Sequence, residues 1–206
     1  MPVRLQEVHP SLVHFPIALL PIALASDALG ALSNSDSLLG TGRRLMPLTA
    51  ISAAVAAATG LVAQEEVNAD GRAHDLLVTH RNLNVGLLAL ITGLAVLRRK
   101  SPRPSLGYLV AGFVGVAGMT YTAYLGGKMV YAHGVGVEPA GGVREGHAPP
   151  LTARRAKDVV RHAVDDLMHG SRHAVEHLTQ GELAPALKGK GDTDRAGVPG
   201  SGPDAE

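Results

Sequence analysis

Four apolar stretches separated by short polar connections fill the first two thirds of the chain, and a polar region with apolar residues at helical spacing follows them. The first stretch, 12–32, covers 21 positions with a single charge, Asp27. The second, 45–64, carries no charge. The third, 82–97, is also uncharged, and its helix is expected to begin earlier, near Asp75. The fourth, 104–127, runs uncharged for 24 positions. A helix needs about 20 mostly apolar residues to cross about 30 Å of hydrocarbon. Lipid admits only helices or closed barrels, because every backbone polar group must be satisfied within the protein. None of the stretches alternates polar and apolar residues as a barrel strand would. The pattern predicts an all-α fold, a four-helix transmembrane bundle over residues 1–137, with helices at about 10–32, 44–64, 75–98 and 105–131.

Beyond residue 137 the reading changes. Residues 138–151, EPAGGVREGHAPPL, read as a linker by their Pro and Gly content. Thr152 is a plausible N-cap for an amphipathic helix over 152–180. Val160, Ala163, Val164, Leu167, Ala174, Val175 and Leu178 fall on one broad face of it. His162, His169, His173 and His177 fall on the opposite face, with Asp166 nearby. Two histidines four residues apart can share a metal, although a solvated polar face is the simpler account. The apolar face suits a membrane surface or a partner. Residues 181–206, and above all the stretch from Pro185, lack apolar periodicity and are expected to be disordered.

A cleaved signal peptide is the competing account of the first stretch, but its length, Glu7 and the prolines Pro16 and Pro21 argue against cleavage. Orientation follows from charge. Arg43 and Arg44 lie in the first connection, and Arg98, Arg99, Lys100 and Arg103 lie in the third. Basic residues near helix ends favour the cytoplasm. The opposite side has Arg4, Arg72 and Arg81, diluted by Glu7, Glu65, Glu66, Asp70 and Asp75. The expected location is the cell membrane, multi-pass, with both termini extracytoplasmic. His9, His14, His74, His80 and His133 then share the extracytoplasmic end. Small residues at four-residue spacing (Gly107, Ala111, Gly115; Gly118, Thr122, Gly126; Ala50, Ala54, Ala58) permit either close helix packing or a slot for a flat cofactor.

Composition narrows the chemistry. Cysteine is absent, which excludes disulfides, thiolate metal sites and cysteine nucleophiles. A net charge of +1 gives no field for nucleic acid. No nucleophile–base pair or carboxylate pair points to an enzyme. Ten histidines are the notable inventory. His14 sits at the mouth of the first helix, where Pro16 leaves the Leu12 carbonyl without its helical partner. His80 precedes the third stretch with Asn84 one turn on. His133 either stands above the membrane or folds back at Gly126 and Gly127. Two imidazoles on facing helices suit haem b, most concretely His14 and His80, with His133 and His9 in reserve and Arg72, Arg81 and Lys128 available to neutralise the propionates. Three imidazoles, His14, His80 and His133, suit zinc or copper instead. The bland alternative is a structural subunit of a membrane complex whose histidines only order loops. Asp27 is expected to pair with Arg43 or Arg44. The partners expected are the lipid bilayer and either a redox partner or other subunits of a membrane complex.

HPSLVHFPIALL near the start and LGGKMVYAHGVGV after the fourth stretch resemble a bacterial membrane family, domain of unknown function 2231. The likeness runs from about Leu5 to Val137 and rests on His9, Pro10, His14, Phe15 and Pro16, on the region of His80, and on Leu125 to Gly127 with Tyr131, His133, Gly134 and Gly136. It implies four transmembrane helices and no established activity. Some relatives carry a Rieske-type iron–sulfur domain downstream, which implies electron transfer. This chain departs there, since a tail without cysteine cannot bind such a cluster.

Overall fold

The structure is a computed structural model that describes residues 4–143, 155–179 and 183–187. Within them the chain forms α1 (Leu5–Leu12), α2 (His14–Ser33), α3 (Asp36–Ala63), α4 (Arg72–Lys100), α5 (Leu106–His133) and α6 (Ala156–Thr179), with short 3₁₀ turns at Gln64–Glu66, Glu138–Ala140 and Pro185–Leu187. No strand occurs among the described residues; one isolated bridge pairs Val67 with Val143. Four segments are long and apolar enough to cross a membrane: Leu5–Ser33, Asp36–Glu66, Arg72–Lys100 and Leu106–His133.

Local chemistry sets the helix ends. Pro16 cannot donate to the Leu12 carbonyl, and the helix is interrupted one residue later, at Val13, so that α1 feeds α2 with a local break. Asn34 adopts the left-handed conformation (φ 52) and closes α2, and Ser35 then caps α3 by accepting from the Leu38 N–H. α3 therefore starts eight residues before the expected position 44, because a cap and not the apolar run decides where the helix begins. Ser105 caps α5 in the same way at 3.2 Å from the Tyr108 nitrogen. That helix runs unbroken through Gly126 and Gly127 and ends at Gly134 (φ 66), so His133 stands at its tip.

The bundle has an apolar core with a few buried polar groups, and its outer faces are apolar as well. Leu20, Ala23, Leu24, Met46, Ile91, Leu94, Ala95 and Tyr108 form its central core. Gly112 lets α5 approach α2, since a Cβ there would collide with Leu24. Phe15, Ile22, Ile51, Phe113 and Val114 lie more than half exposed on the outer faces. Patches of that kind mark a surface meant for lipid.

One buried cluster of charge is strongly organised. Asp27 on α2 and Arg98 on α4 both have fully buried side chains, 2.8 Å apart. Arg98 Nε donates to both Asp27 oxygens, its Nη2 to the Leu39 carbonyl and its Nη1 to the Ser101 carbonyl. Tyr108 on α5 donates its hydroxyl to Asp27 at 2.9 Å. A buried charge persists only when paired and hydrogen-bonded, and here one pair ties all four spans together. The expectation that Asp27 pairs with Arg43 or Arg44 is corrected: Arg43 and Arg44 are exposed, and Arg43 reaches the Arg99 carbonyl instead. Gly42 makes room for this cluster, because a Cβ would meet the Asp27 carboxylate.

α6 lies across the opposite end of the bundle, on the end of α3 and the turn after it. Val159, Ala163 and Leu167 pack with Leu5 and Val62. Gly170 sits against the Leu61 carbonyl with no room for a side chain. Val160, Val164, Met168 and Val175 face outward. The expected division into an apolar docking face and a polar solvent face is thus corrected: the docked face is mixed, and much of the apolar face is exposed. Pro185–Leu187 also departs from the expected disorder. Ala186 N donates to Thr79 Oγ1, Arg72 to the Ala186 carbonyl and Asn82 to the Leu183 carbonyl. The expected N-cap Thr152 and residues 144–154, 180–182 and 188–206 lie outside the described residues.

Candidate functional site

His9 comes from α1 and His80 from the third turn of α4. Their ring centroids lie 6.5 Å apart, edge to face at 84°. His9 Nδ1 lies 2.9 Å from the Ala56 carbonyl of α3, and His80 Nδ1 lies 2.9 Å from the Thr122 carbonyl of α5. A carbonyl oxygen only accepts, so each Nδ1 carries the hydrogen. In the neutral ring the lone pair is then on Nε2. Both rings are held by backbone of a neighbouring helix, which leaves Nε2 as the nitrogen available to a ligand. This is the arrangement in which an outer hydrogen bond fixes the tautomer and orientation of a ligating histidine.

Two glycines make the pair possible. A Cβ at Gly60 would lie 3.0 Å from His9 Cε1, and one at Gly126 would lie 3.5 Å from His80 Cε1. The rings therefore rest directly on the backbones of α3 and α5. Asn84, one turn after His80, donates to the His80 carbonyl and accepts from the Thr122 hydroxyl, which braces the carbonyl that holds the ring.

The geometry sorts the sequence-derived ligands. His80 meets His9, not His14. His14 and His133 are both exposed, so a His14–His80–His133 trio is not brought together by these side-chain positions. His74 is exposed and lies 6.0 Å from His177 of α6, centroid to centroid. Arg72 and Arg81, expected to face propionates, are engaged within the protein, Arg81 with Gln64 Oε1 and Asn82 Oδ1 and Arg72 with the Ala186 carbonyl. Two surface concavities, one beside Ser171, Arg172, Val175 and Glu176 and one beside Asp36, Gly40, Arg43 and Pro102, border neither histidine of the pair.

A second cluster joins α6 to the bundle. His162 Nε2 lies 2.7 Å from Glu66 Oε1 and 3.3 Å from Asp166 Oδ2. Glu66 is 1% exposed and Asp166 4%. His173 Nδ1 lies 3.1 Å from Glu65 Oε1, and Gln64 Nε2 donates both to Glu65 and to the Gly170 carbonyl. His177 titrates below the ordinary histidine range, chiefly because of desolvation and then because Arg81 and His74 repel its charged form. His169 is exposed. Sequence reasoning grouped the four α6 histidines on a solvent face and passed over Glu66; the signal available was the His162–Asp166 spacing of four, beside the acidic turn Glu65–Glu66.

Residues 6–139 match the family model described as predicted membrane protein (DUF2231). No curated protein and no solved structure matches the chain.

Proposed function

The chain belongs to this family of predicted membrane proteins, DUF2231, and from that premise we propose that it is a multi-pass membrane protein that binds a zinc or copper ion between His9 and His80. The observation that carries this reading is the pair of Nδ1 contacts to backbone carbonyls, which leaves two Nε2 lone pairs on adjacent rings. Imidazole suits both metals, and the chain offers no thiolate to compete. At a metal–nitrogen distance of about 2.0–2.1 Å, two imidazoles on one ion hold their centroids at most about 6.4 Å apart. The spacing of 6.5 Å is at that outer limit. Coordination of one ion would require the edge-to-face rings to turn so that both Nε2 atoms face it, and a tetrahedral angle would require them also to close by about 1 Å.

Haem with redox activity is the weaker use of the same residues. The two rings contact each other edge to face, and the arginines that would balance the propionates are already bonded. In the proposed orientation the histidine end faces away from the cytoplasm, because Arg43, Arg44, Arg99, Lys100 and Arg103 gather at the other end.

The test is metal binding by the detergent-purified, chelator-stripped protein, titrated with zinc and separately with copper. His9→Ala and His80→Ala should each weaken binding at this site by about tenfold or more, since even loss of an outer partner of a ligand costs 10–100-fold. His14→Ala and His133→Ala should leave it unchanged. Equal affinity in wild type, His9→Ala and His80→Ala would refute the site. A visible spectrum of the same protein, expressed with ample haem, decides against this reading if a Soret band appears and depends on His80.

A further inference from the structure

We infer that Glu66, His162 and Asp166 form a second metal site, separate from the histidine pair, in which a divalent ion with a preference for nitrogen and oxygen ligands, zinc foremost, fastens α6 to the membrane bundle. Glu66 comes from the 3₁₀ turn that ends the second span, whereas His162 and Asp166 come from α6. The site therefore exists only when the two parts of the protein are docked.

The geometry favours coordination. His162 and Asp166 are four residues apart and so share one face of α6. Their ligand atoms and that of Glu66 all lie within 4.8 Å of one another. Two carboxylates and one imidazole are an oxygen–nitrogen set of the kind that holds zinc with ligand distances of about 2.0–2.2 Å. Such ligand atoms stand roughly 3.3–3.5 Å apart around a tetrahedral ion. His162 and Asp166 already match that spacing at 3.3 Å; His162 and Glu66, at 2.7 Å, must part by somewhat more than half an ångström to admit it. His162 would give up its Nε2 proton on binding, as a metal ligand must.

The surroundings are pre-formed. Glu66 and Asp166 are buried, and His162 retains 23% side-chain exposure, which leaves an entry path at the imidazole edge. Close contact of Gly170 with the Leu61 carbonyl and of Val159 with Leu5 and Val62 fixes the height of α6 on both sides of the site. Three protein ligands supply three of the four positions of a tetrahedral ion.

The absence of cysteine makes the test clean. Spin labels are placed at Asp70→Cys and Arg172→Cys, two exposed positions on the bundle end and on α6, in the full chain. Distance distributions are measured by pulsed electron paramagnetic resonance with chelator and with added zinc, and zinc stoichiometry is measured in parallel. Zinc should narrow the distribution in the parent and in His80→Ala, but not in His162→Ala or Asp166→Ala, and each of the latter should lose one zinc equivalent that His80→Ala retains. If His80→Ala loses all bound zinc, or if His162→Ala binds and narrows as the parent does, the second site is overturned and the cluster is a plain histidine–carboxylate ion pair. Whether His80→Ala loses one of two equivalents, with the zinc-dependent narrowing kept, bears only on the histidine pair, so the two sites fail separately.

Discussion

A backbone carbonyl decides what His80 can do. With Nδ1 turned to Thr122 and the ring seated on Gly126, the residue has one nitrogen left for chemistry, and His9 repeats the arrangement on Ala56 and Gly60. His14 was the more obvious candidate by sequence because it opens the apolar stretch. The chain breaks at Val13 between them, and it is His9 that is half-buried whereas His14 is exposed. At the other end, Arg98 is the residue whose loss the fold should feel most. Arg98→Ala leaves the Asp27 carboxylate buried without its cation, and breaking such pairs costs about 3–5 kcal/mol. Tyr108→Phe removes one hydrogen bond to the same carboxylate and should cost about 1.5–3 kcal/mol, as bonds to charged groups do. Unfolding in mixed detergent micelles would measure both. Equal stability of Arg98→Ala and wild type would mean that water reaches Asp27.

Among the elements, the four long helices were legible from hydropathy alone, because crossing lipid demands an uninterrupted apolar run. Their ends were not, because Ser35, Asn34 and Gly134 end or begin helices by local hydrogen bonding in polar sequence. The docked face of α6 was also illegible. Its histidines look solvated until Glu65 and Glu66, nearly a hundred residues away in the chain, are placed opposite them. The segment 183–187 shows the same limit, since without periodicity it docks through three hydrogen bonds to α4 side chains. Removing residues 183–206 should therefore lower stability by about 1.5–4.5 kcal/mol, the loss of three bonds at roughly 0.5–1.5 kcal/mol net each. A thermal scan of the truncated protein in detergent checks this. An unchanged midpoint would show that these bonds contribute nothing net.

For the molecule as a whole, four long apolar helices with exposed apolar outer faces suit lipid as the surrounding solvent. Orientation is testable through the two ends. Cysteine at Ser101 should be shielded from an impermeant thiol reagent in whole cells, while cysteine at Ala140 should react; the reverse pattern would invert the protein and put both candidate metal sites in the cytoplasm. The family match and the four spans leave the chemistry open, and the account stands or falls on whether His9 and His80 hold a metal together. X-ray absorption at the zinc edge reads this most directly, using the His162→Ala protein loaded with one equivalent so that α6 contributes no imidazole from that cluster. The account predicts outer-shell scattering from two imidazoles at a zinc–nitrogen distance of about 2.0–2.1 Å, lost on adding His80→Ala. A spectrum with no imidazole scattering, or one that His80→Ala leaves unchanged, would contradict it.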